Sequence, residues 1–419
     1  MAPRYDVVLL GPTGVTGREV ARHLARRAPA LGLSWAVAGR DEQRVEAVLA
    51  GLASRPAAVL TADTTDATSI DAVAGSATVI ANLVGPYARH GEVVYEACAR
   101  HGTAQLDLTG EIDWLAGMIE RYHDQATATG ARIVPTAGFE ALPFDLGAAL
   151  AARTVHERTG ERVVAVDVAV TTTSDVAVRR PADAVSGGTF VSGVEALRRG
   201  PGPAFADPYL LDPPGTVGPR GTYDLTPRRH TGTGAWLAPM VPSPFLNPPI
   251  VHRGVALRRA AGDLTFAEGF RYQEGMATGG TVPGPLAPLA AAGLSAFQMG
   301  FALSARAPGP VRARLADVLL RIGPKAGDGP AVEDLDRWSY RLDVQATTEG
   351  GAVAGVTVQA QGHPGYKSTA TMIGEAALLL ADSSADVPAG AGFLSPATAL
   401  GTDELDRFSH AGLDFVVHG

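Results

Sequence analysis

The sequence contains a single cysteine, Cys98, among its 419 residues. One thiol cannot form an internal disulfide or a cysteine-rich zinc site, and this cysteine usage fits a reducing cytoplasm best. We therefore expect a cytoplasmic protein that has no disulfide framework and no metal. Cys98 stands in an alanine-rich segment, where a small buried hydrophobic residue is expected.

Lysine is almost as scarce, because Lys325 and Lys367 are the only two in the sequence. The catalytic pair of a short-chain dehydrogenase needs a tyrosine four residues before a lysine, but Arg321 and His363 stand at those positions. A Walker-type phosphate loop needs a Gly-Lys pair, and the sequence has none. Both classes of chemistry are therefore excluded.

Positive charge is also in deficit, with 35 basic against 43 acidic residues and a net charge of -8. This balance gives no support to a nucleic-acid partner. The N-terminus shows no signal-peptide pattern.

The stretch from Pro285 to Ala305 carries no charge over about 20 residues, which is the length of a helix that spans a bilayer. Its prolines and glycines favour a buried helix or the wall of an apolar substrate tunnel, and membrane-surface contact is the less favoured alternative.

Strand and helix patterns alternate regularly through residues 1–145. Helical periodicity separates six apolar runs, and this order predicts an α/β domain with a doubly wound, Rossmann-type parallel sheet. We expect the helices of residues 365–419 to complete this domain. The predicted strands are Tyr5–Leu10, Leu33–Ala38, Ala57–Thr61, Thr78–Leu83, Ala104–Leu108 and Arg132–Thr136.

The pattern changes in residues 146–364, where a second α+β domain with a mixed or antiparallel sheet is expected. Glu349, Gly350 and Gly351 separate two of its strands and predict a hairpin. The segment Gly200–Pro249 holds twelve of the 30 prolines, and a loop of this length favours a lid or a wrapping segment. The predicted strands are Arg162–Thr173, Leu264–Tyr272, Tyr340–Thr348 and Val353–Gln361.

Three glycines follow the first strand in the segment LLGPTGVTGRE, at Gly11, Gly14 and Gly17. Glycine is needed where a turn is sharp, where backbone approaches a pyrophosphate, and where a helix packs closely on a strand. The helix that follows directs its free N–H groups at the phosphates. With a strand before it and a helix after it, the segment predicts a dinucleotide cradle rather than a purely structural turn. Its remaining expected contacts are Pro12, Thr13, Val15 and Thr16.

The end of the second strand selects between the two nicotinamide dinucleotides. An acidic residue there would bind the ribose of NAD, whereas an arginine would meet the 2′-phosphate of NADP. Gly39 and Arg40 stand at that end and Arg44 follows one turn later, so NADP(H) is favoured. In the alternative, Asp41 contacts ribose and Arg40 is a solvated surface charge, although Asp41 better suits the start of the next helix.

The ends of strands three and four supply further expected contacts at the edge of the sheet where ligands bind. Asp63 is expected to face the adenine, with a turn or capping role as an equal alternative. The loop after strand four should pass beside the nicotinamide ribose. Its residues are Asn82, Leu83, Val84, Gly85, Pro86 and Tyr87.

Seven motifs are distributed over nearly the whole chain. They are LLGPTGVTG, AGR, NLVGPYARHG, LDLTGE, AGFEALPFDLGA, SGGTF at Ser186–Phe190 and GHPGYKSTATMIGE at Gly362–Glu375. In these motifs the chain resembles the saccharopine dehydrogenase-like oxidoreductases, and most of all their branch of trans-acting enoyl reductases. The resemblance implies reduction of an enoyl thioester by NADPH, a lipophilic or carrier-tethered acyl substrate, and a polyketide synthase partner in lipid metabolism. A homodimer is one possible oligomeric state.

Enoyl reduction requires a group that polarises the thioester carbonyl and a source of a proton. Tyr87 is the first candidate, with packing against the ribose as its alternative. Glu111 and Glu140 stand at the ends of strands five and six and are candidates for a proton relay, although each could instead cap the helix that follows it. His90 is expected to be a solvent-exposed loop residue. Thr109 and Gly110, in the motif of Glu111, are expected cofactor contacts.

Two other functions remain open at this point. A saccharopine-type amino-acid or imine dehydrogenase would bind dicarboxylates through arginines, whereas the apolar stretch at 285–305 favours a lipophilic substrate. An NADP-binding sensor or lipid-surface protein without turnover would keep the glycine cradle but lack a productive acid.

Overall fold

The computed structural model describes residues 4–176, 187–200, 207–214, 216, 223–241, 244–279, 282–325 and 329–418. These form two compact units: Met1–Leu142 with His363–Leu413, and Pro143–Gly362 with Asp414–Gly419. Part of the expected lid, Gly200–Pro249, lies outside the described residues. Ser186 of the SGGTF motif also lies outside them.

The strands are β1 Tyr5–Leu10, β2 Trp35–Gly39, β3 Ala58–Thr61, β4 Ala77–Asn82, β5 Ala104–Asp107, β6 Arg132–Val134, β7 Val163–Ser174, β8 Arg228–Arg229, β9 Trp236–Ala238, β10 Phe266–Ala277, β11 Trp338–Thr348, β12 Val353–Gln361, β13 Gly392–Phe393 and β14 Leu413–His418. The helices are α1 Val15–Ala30, α2 Glu42–Leu49, α3 Ala67–Ser76, α4 Tyr87–His90, α5 Glu92–His101, α6 Ile112–Thr129, α7 Leu142–Thr159, α8 Gly187–Arg199, α9 Asn247–Ala260, α10 Ala287–Ser304, α11 Gly309–Ile322, α12 Thr369–Ala381 and α13 Pro396–Leu400.

The first unit contains a seven-stranded sheet in the order β13-β6-β5-β4-β1-β2-β3. Every pairing in it is parallel. The order reverses beside β1, where β2 lies on one side and β4 on the other, and this is the switch point at which doubly wound sheets bind ligands. The Rossmann-type sheet that the sequence predicts is thus confirmed. β13 adds a seventh strand that was not predicted, because two residues carry no readable periodicity.

Buried apolar side chains explain the regularity of this unit. Val7 to Leu10 of β1 and Ala36 to Ala38 of β2 are almost fully buried, as strands covered on both faces should be. Cys98 is buried in α5 as expected, and burial raises the pKa of its thiol. The alternation of strand and helix therefore follows from a core on each side of the sheet.

A buried ion cluster ties α12 to α1. The fully buried carboxylate of Glu375 accepts hydrogen bonds from His23 Nε2 over 2.9 Å and from Arg27 over 3.1 and 3.2 Å. Burial acts to raise the pKa of Glu375, but the hydrogen bonds from His23 and Arg27 outweigh it, and the pKa lies below its ordinary value. These contacts fix a segment from the end of the chain against the first helix.

The second unit contains a mixed sheet in the order β14-β12-β11-β7-β10-β9-β8. β11 and β12 form the predicted antiparallel hairpin, and β10 runs parallel to β7. The described part of Gly200–Pro249 is more structured than expected, because it includes β8 and β9, which pair with each other, and the start of α9. Its short strands were missed because the prolines around them dominate the local pattern.

The uncharged stretch forms α10, and its expected burial is wrong. Most of the helix faces outward, with Leu289 70% and Phe297 68% exposed. Gly284–Ser304 is long and apolar enough to cross a membrane by length and composition, and 22% of this window is buried. The prediction failed because a long uncharged helix is expected to be buried, whereas α10 packs through its small and polar residues.

Candidate functional site

The glycine turn between β1 and α1 has a different steric demand at each glycine. Gly11 has a φ of +87° and its added Cβ would lie 2.8 Å from Val84 Cγ2. A Cβ on Gly17 would overlap the carbonyl oxygen of Gly11. Gly14, the N-cap of α1, has open space around its Cβ position and no side-chain cap. The turn therefore packs tightly at two glycines and leaves the start of α1 accessible at the third.

A cavity of about 260 Å³ opens beside this turn at the carboxyl edge of the sheet. Half of the expected cofactor contacts line it, together with Leu10, Ala62, Thr64 and His90, which were not among them. The expected residues that do line it are Gly11, Thr13, Gly14, Gly39, Arg40, Asp63, Leu83, Val84 and Gly85. Pro12, Val15, Thr16, Asn82, Pro86, Tyr87, Thr109 and Gly110 are not part of its lining.

His90 lines this cavity and is not the fully exposed loop residue that the sequence suggested. Its Nδ1 lies 2.9 Å from Thr64 Oγ1, so the start of the turn after β3 is joined to α4. Burial of this kind depends on two loops that meet at the sheet edge, and no local pattern encodes it.

A second cavity, of about 340 Å³, lies between α1 and α2 and shares Thr13 with the first. Its lining includes Arg18, Arg22 and Arg44. Arg22 is paired with Glu19, whereas Arg18 and Arg44, like Arg40 of the first cavity, have no hydrogen bond or ion pair through their side chains to any described residue. The sequence identified Arg40 and Arg44 but missed Arg18, which stands one helical turn after Gly14. An anion near Thr13 would meet guanidinium groups in both cavities.

The two aspartates that could contact the nucleotide, Asp41 and Asp63, differ in the hydrogen bonds that they accept. Asp41 is the N-cap of α2 and accepts a hydrogen bond from the Arg44 N–H over 3.0 Å, which is the helix-start role. Asp63 accepts hydrogen bonds from the N–H and hydroxyl of Thr65 over 2.9 and 2.8 Å. These bonds, together with nearby Arg40, hold the pKa of Asp63 below its ordinary value. Asp63 is thus an anion that combines a turn role with a place in the cavity lining.

Asn82 ends β4 at the switch point and is fully buried. Its Oδ1 accepts the N–H of Val84 over 3.0 Å, but its Nδ2 has no hydrogen-bond partner among the residues described. A buried amide donor without a partner is costly in free energy. Asn82 therefore supports the cavity wall through Val84 and is not itself part of the lining.

Tyr87 is buried and its hydroxyl is used within the protein. The hydroxyl donates to the carbonyl oxygen of Asn82 over 3.1 Å and accepts the N–H of Leu108 over 3.2 Å. Burial, and next the negative charge of Asp107, raise the pKa of Tyr87 well above its ordinary value. The hydroxyl of Tyr87 thus joins the backbone at the ends of β4 and β5.

Glu111 lies directly before α6 but does not cap it with its side chain. Its buried carboxylate instead accepts the N–H of Tyr87 over 2.9 Å and that of Ala88 over 3.4 Å, at the start of α4. The expected side-chain cap on the following helix is therefore wrong, and the carboxylate binds the start of α4 instead.

A buried polar network around Asp107, at the end of β5, was not predicted from the sequence. Asp107 accepts hydrogen bonds from the Tyr95 hydroxyl over 2.6 Å, from Gln105 Nε2 over 3.0 Å and from the Thr109 N–H over 2.9 Å. Burial raises the pKa of Asp107. Thr109 is buried in this network, whereas Gly110 is exposed. The network shapes the loop from β5 to α6 that carries Glu111.

Glu140 lies in the loop between β6 and α7 and is half-buried. Burial raises the pKa of its carboxyl group. The neighbouring Phe139 N–H donates to Thr369 Oγ1 over 2.9 Å, which anchors the loop to α12. Glu140 is thus a carboxyl group that retains its proton to higher pH than an exposed glutamate. Elsewhere in the described ranges, no group of three or more His, Cys, Asp or Glu side chains could hold a metal ion.

Comparisons with known proteins add a family relationship to this geometry. No family model matches the chain. A trans-acting enoyl reductase of Mycobacterium ulcerans is 34% identical over 425 residues, which cover 98% of this chain and 96% of the relative. One of Mycobacterium tuberculosis is 32% identical over 428 residues with the same coverage. Saccharopine dehydrogenase of Saccharomyces cerevisiae has a similar fold, with a TM-score of 0.52, 13% identity and 99% coverage of both chains.

Proposed function

The chain belongs to the trans-acting enoyl reductases, oxidoreductases with the saccharopine dehydrogenase fold, and from this premise we propose that it reduces the C=C bond of an enoyl thioester with NADPH. Among the observations, the pair of cavities that meet at Thr13 carries the proposal. One adjoins the open N-terminus of α1, and both contain arginine side chains without a described hydrogen-bond partner. This arrangement supports a dinucleotide with an additional phosphate.

The residues of the first unit can be assigned to parts of the cofactor. Gly11 and Gly14 would allow the pyrophosphate to approach the N–H groups at the start of α1. Arg40 and Arg44, joined by Arg18, would bind the 2′-phosphate, since guanidinium groups bind phosphate with charge-assisted hydrogen bonds. The other expected contacts belong to the same proposal, with Asn82 holding the N–H of Val84 in the cavity wall through its Oδ1.

Bound NADPH would supply a hydride for the β-carbon of the substrate, and the α-carbon would take a proton. Among the three candidate residues, Glu140 suits the role of proton source, because its pKa is raised by burial. The hydroxyl of Tyr87 and the carboxylate of Glu111 are held by backbone groups. We therefore assign these two residues the role of positioning the loop after β4.

The substrate class follows from the relatives. Their name, trans-acting enoyl reductase, describes reduction of an enoyl group by an enzyme that acts in trans. For this chain we accordingly propose a lipophilic acyl group carried by a polyketide synthase partner, in the cytoplasm.

The proposal is tested by the loss of NADPH absorbance with two panels of substrates and the purified full-length chain. One panel contains enoyl thioesters of pantetheine with increasing acyl length, and the other contains imines formed from amines and keto acids. Turnover with enoyl thioesters alone supports the proposal. Turnover with imines alone would reassign the chain to amine chemistry, and NADPH binding without turnover in either panel would make it a sensor.

A further inference from the structure

The burial pattern of α10 is inverted with respect to that of an ordinary surface helix. Its buried positions are the small or polar residues Ala287, Ala291, Ser295 and Gln298. Its outward face carries large apolar side chains: Leu289, Phe297, Met299 and Leu303 are between 44% and 70% exposed. Surface helices normally bury the large apolar residues and expose the polar ones. The outward face of α10 therefore has the composition of a contact surface.

The polar inner face of α10 is attached to the second unit. Gln298 Nε2 donates to the carbonyl oxygen of Met240 over 2.9 Å, and Thr278 Oγ1 donates to that of Ala287 over 2.9 Å. These buried hydrogen bonds hold one side of the helix to the protein. A helix held in this way can lie on an apolar medium, but it cannot cross one without losing those bonds.

The next helix, α11, repeats the outward apolar pattern and adds positive charge. Val311, Val318 and Ile322 are exposed at spacings of seven and four residues, which places them on one face. Arg314 and Arg321 are exposed at the border of that face. Long arginine side chains at such a border can keep their charge in water while their stems cover apolar surface.

The charge of this region is opposite to that of the chain as a whole. Residues 284–325 contain five basic side chains, at Arg306, Arg312, Arg314, Arg321 and Lys325, and one acidic side chain, at Asp317. Asp317 is paired with Arg198 of α8 over 2.8 Å. The net charge of the whole chain is -8. An apolar face bordered by arginines in an otherwise acidic protein is complementary to a surface that is both apolar and anionic.

We propose that the outward faces of α10 and α11 bind the surface of a bilayer that contains anionic lipids, with the leucine and phenylalanine side chains among the acyl chains and the arginines at the headgroups. This lipid-binding face comprises Leu289, Phe297, Leu303, Val318 and Ile322, with Arg314 and Arg321 at its border. The helices lie in the plane of the interface and the rest of the protein stays in water. This inference is independent of the reaction that the protein catalyses.

Flotation of the full-length protein with vesicles tests the proposal. Vesicles of phosphatidylcholine with about a third phosphatidylglycerol should bind the protein, and pure phosphatidylcholine vesicles should bind it at least tenfold less. Raising the ionic strength from about 0.1 M to about 1 M shortens the Debye length from about 10 Å to about 3 Å and should weaken the charge-dependent part of binding. Equal binding to both vesicle types, or to neither, contradicts the proposal.

Matched variants distinguish binding through this face from non-specific binding to vesicles. Leu289→Ser, Phe297→Ser and Leu303→Ser combined should reduce vesicle binding at least tenfold, whereas Leu264→Ser is a control of equal exposure, at 69% against 70% for Leu289. Arg314→Glu with Arg321→Glu should abolish the preference for anionic vesicles. The same charge change at two other exposed arginines, Arg4 and Arg26, should leave it intact.

The thermal unfolding midpoint of each variant shows whether it is folded. Sedimentation velocity is measured in parallel, because a second copy of the chain could also cover the apolar face. If the triple serine variant converted a wild-type dimer to a monomer and left vesicle binding unchanged, the face would be a subunit interface and the lipid proposal would be wrong.

Discussion

The backbone N–H of Tyr87 donates a hydrogen bond to the carboxylate of Glu111 over 2.9 Å. Both side chains are candidates for proton transfer by their position after a strand, yet each is engaged by backbone at the turn from β4 to α4. Tyr87 bridges the ends of β4 and β5 through its hydroxyl. The pair thus holds the loop that borders the cavity at the switch point.

Replacement of Glu111 should distinguish a hydrogen-bond role from a proton-relay role. Glu111→Gln retains an acceptor oxygen for the Tyr87 N–H, so activity should stay within a few-fold of wild type. Glu111→Ala leaves that N–H without a partner and should lower the free energy of unfolding by about 1–3 kcal/mol in urea titrations. Glu120→Ala, an exposed change on α6, is the control. Complete loss of turnover in a stable Glu111→Gln variant would restore the relay role.

Tyr87→Phe removes a hydroxyl that serves two backbone groups. We expect the free energy of unfolding to fall by about 1–3 kcal/mol, because the N–H of Leu108 loses its acceptor, while kcat changes little. Tyr122→Phe is a suitable control, since the Tyr122 hydroxyl binds Glu92 nearer the surface. A stable Tyr87→Phe protein with kcat reduced a hundredfold or more would instead make this hydroxyl catalytic.

Two alanine substitutions in the glycine turn should have opposite consequences. Gly14→Ala meets open space, so stability should be maintained while the affinity for NADPH falls at least tenfold, because the new methyl group occupies the approach of the phosphates. Gly17→Ala forces a Cβ against the oxygen of Gly11, and should lower stability by about 1–3 kcal/mol. Thermal unfolding and fluorescence titration of NADPH measure the two effects. Unchanged NADPH affinity in Gly14→Ala would remove this turn from the cofactor site.

The arginines around Thr13 should select NADPH over NADH. Arg18→Ala, Arg40→Ala and Arg44→Ala should each weaken NADPH binding by about 1–3 kcal/mol and leave NADH binding nearly unchanged, because only NADPH carries the 2′-phosphate. Arg26→Ala, exposed on α1 and outside both cavity linings, is the control. Calorimetric titrations that show an equal loss for both cofactors would exclude recognition of the 2′-phosphate by these residues.

Glu140 should make stability depend on pH in a defined direction. Because burial raises its pKa in the folded state, the folded protein holds this proton more tightly than the unfolded chain, and the contribution of Glu140 to stability falls as pH rises through that range. Glu140→Gln keeps a neutral side chain and should gain stability relative to wild type as pH rises above the ordinary pKa of glutamate, about 4.3. Urea unfolding at a series of pH values measures the difference, with Glu120→Gln as control. If the difference in the free energy of unfolding between the two proteins did not change with pH, the pKa of Glu140 would not be raised in the folded state.

The same Glu140→Gln variant tests the proposed proton source. If Glu140 supplies the proton, kcat of the wild type should fall as pH rises through the raised pKa, and the variant should lose this limb of the profile together with most of its turnover. A profile of unchanged shape in the variant would place the proton source elsewhere.

Sequence periodicity predicted much of the fold for a local reason. The alternation of buried strands with amphipathic helices repeats at short range, so the six parallel strands from β1 to β6 and the β11–β12 hairpin were predictable to within a few residues. The steric demand at Gly17, whose Cβ would meet the carbonyl oxygen of Gly11, is equally local. Short elements such as β8, β9 and β13 were missed, because two or three residues cannot establish a period.

The sequence by itself determined the Rossmann-type sheet, the glycine turn and the arginine after β2, since each depends on side chains within a few positions of one another. The tertiary structure alone decided that Glu111 binds the N–H of Tyr87, 24 residues away, and that Arg18 shares a cavity with Arg44. It also decided which side of α10 faces outward. Partners in these cases are set by which strands and helices become neighbours. For α10, the ordinary rule that large apolar residues pack inward predicts the wrong face, because its small and polar residues are the ones that pack.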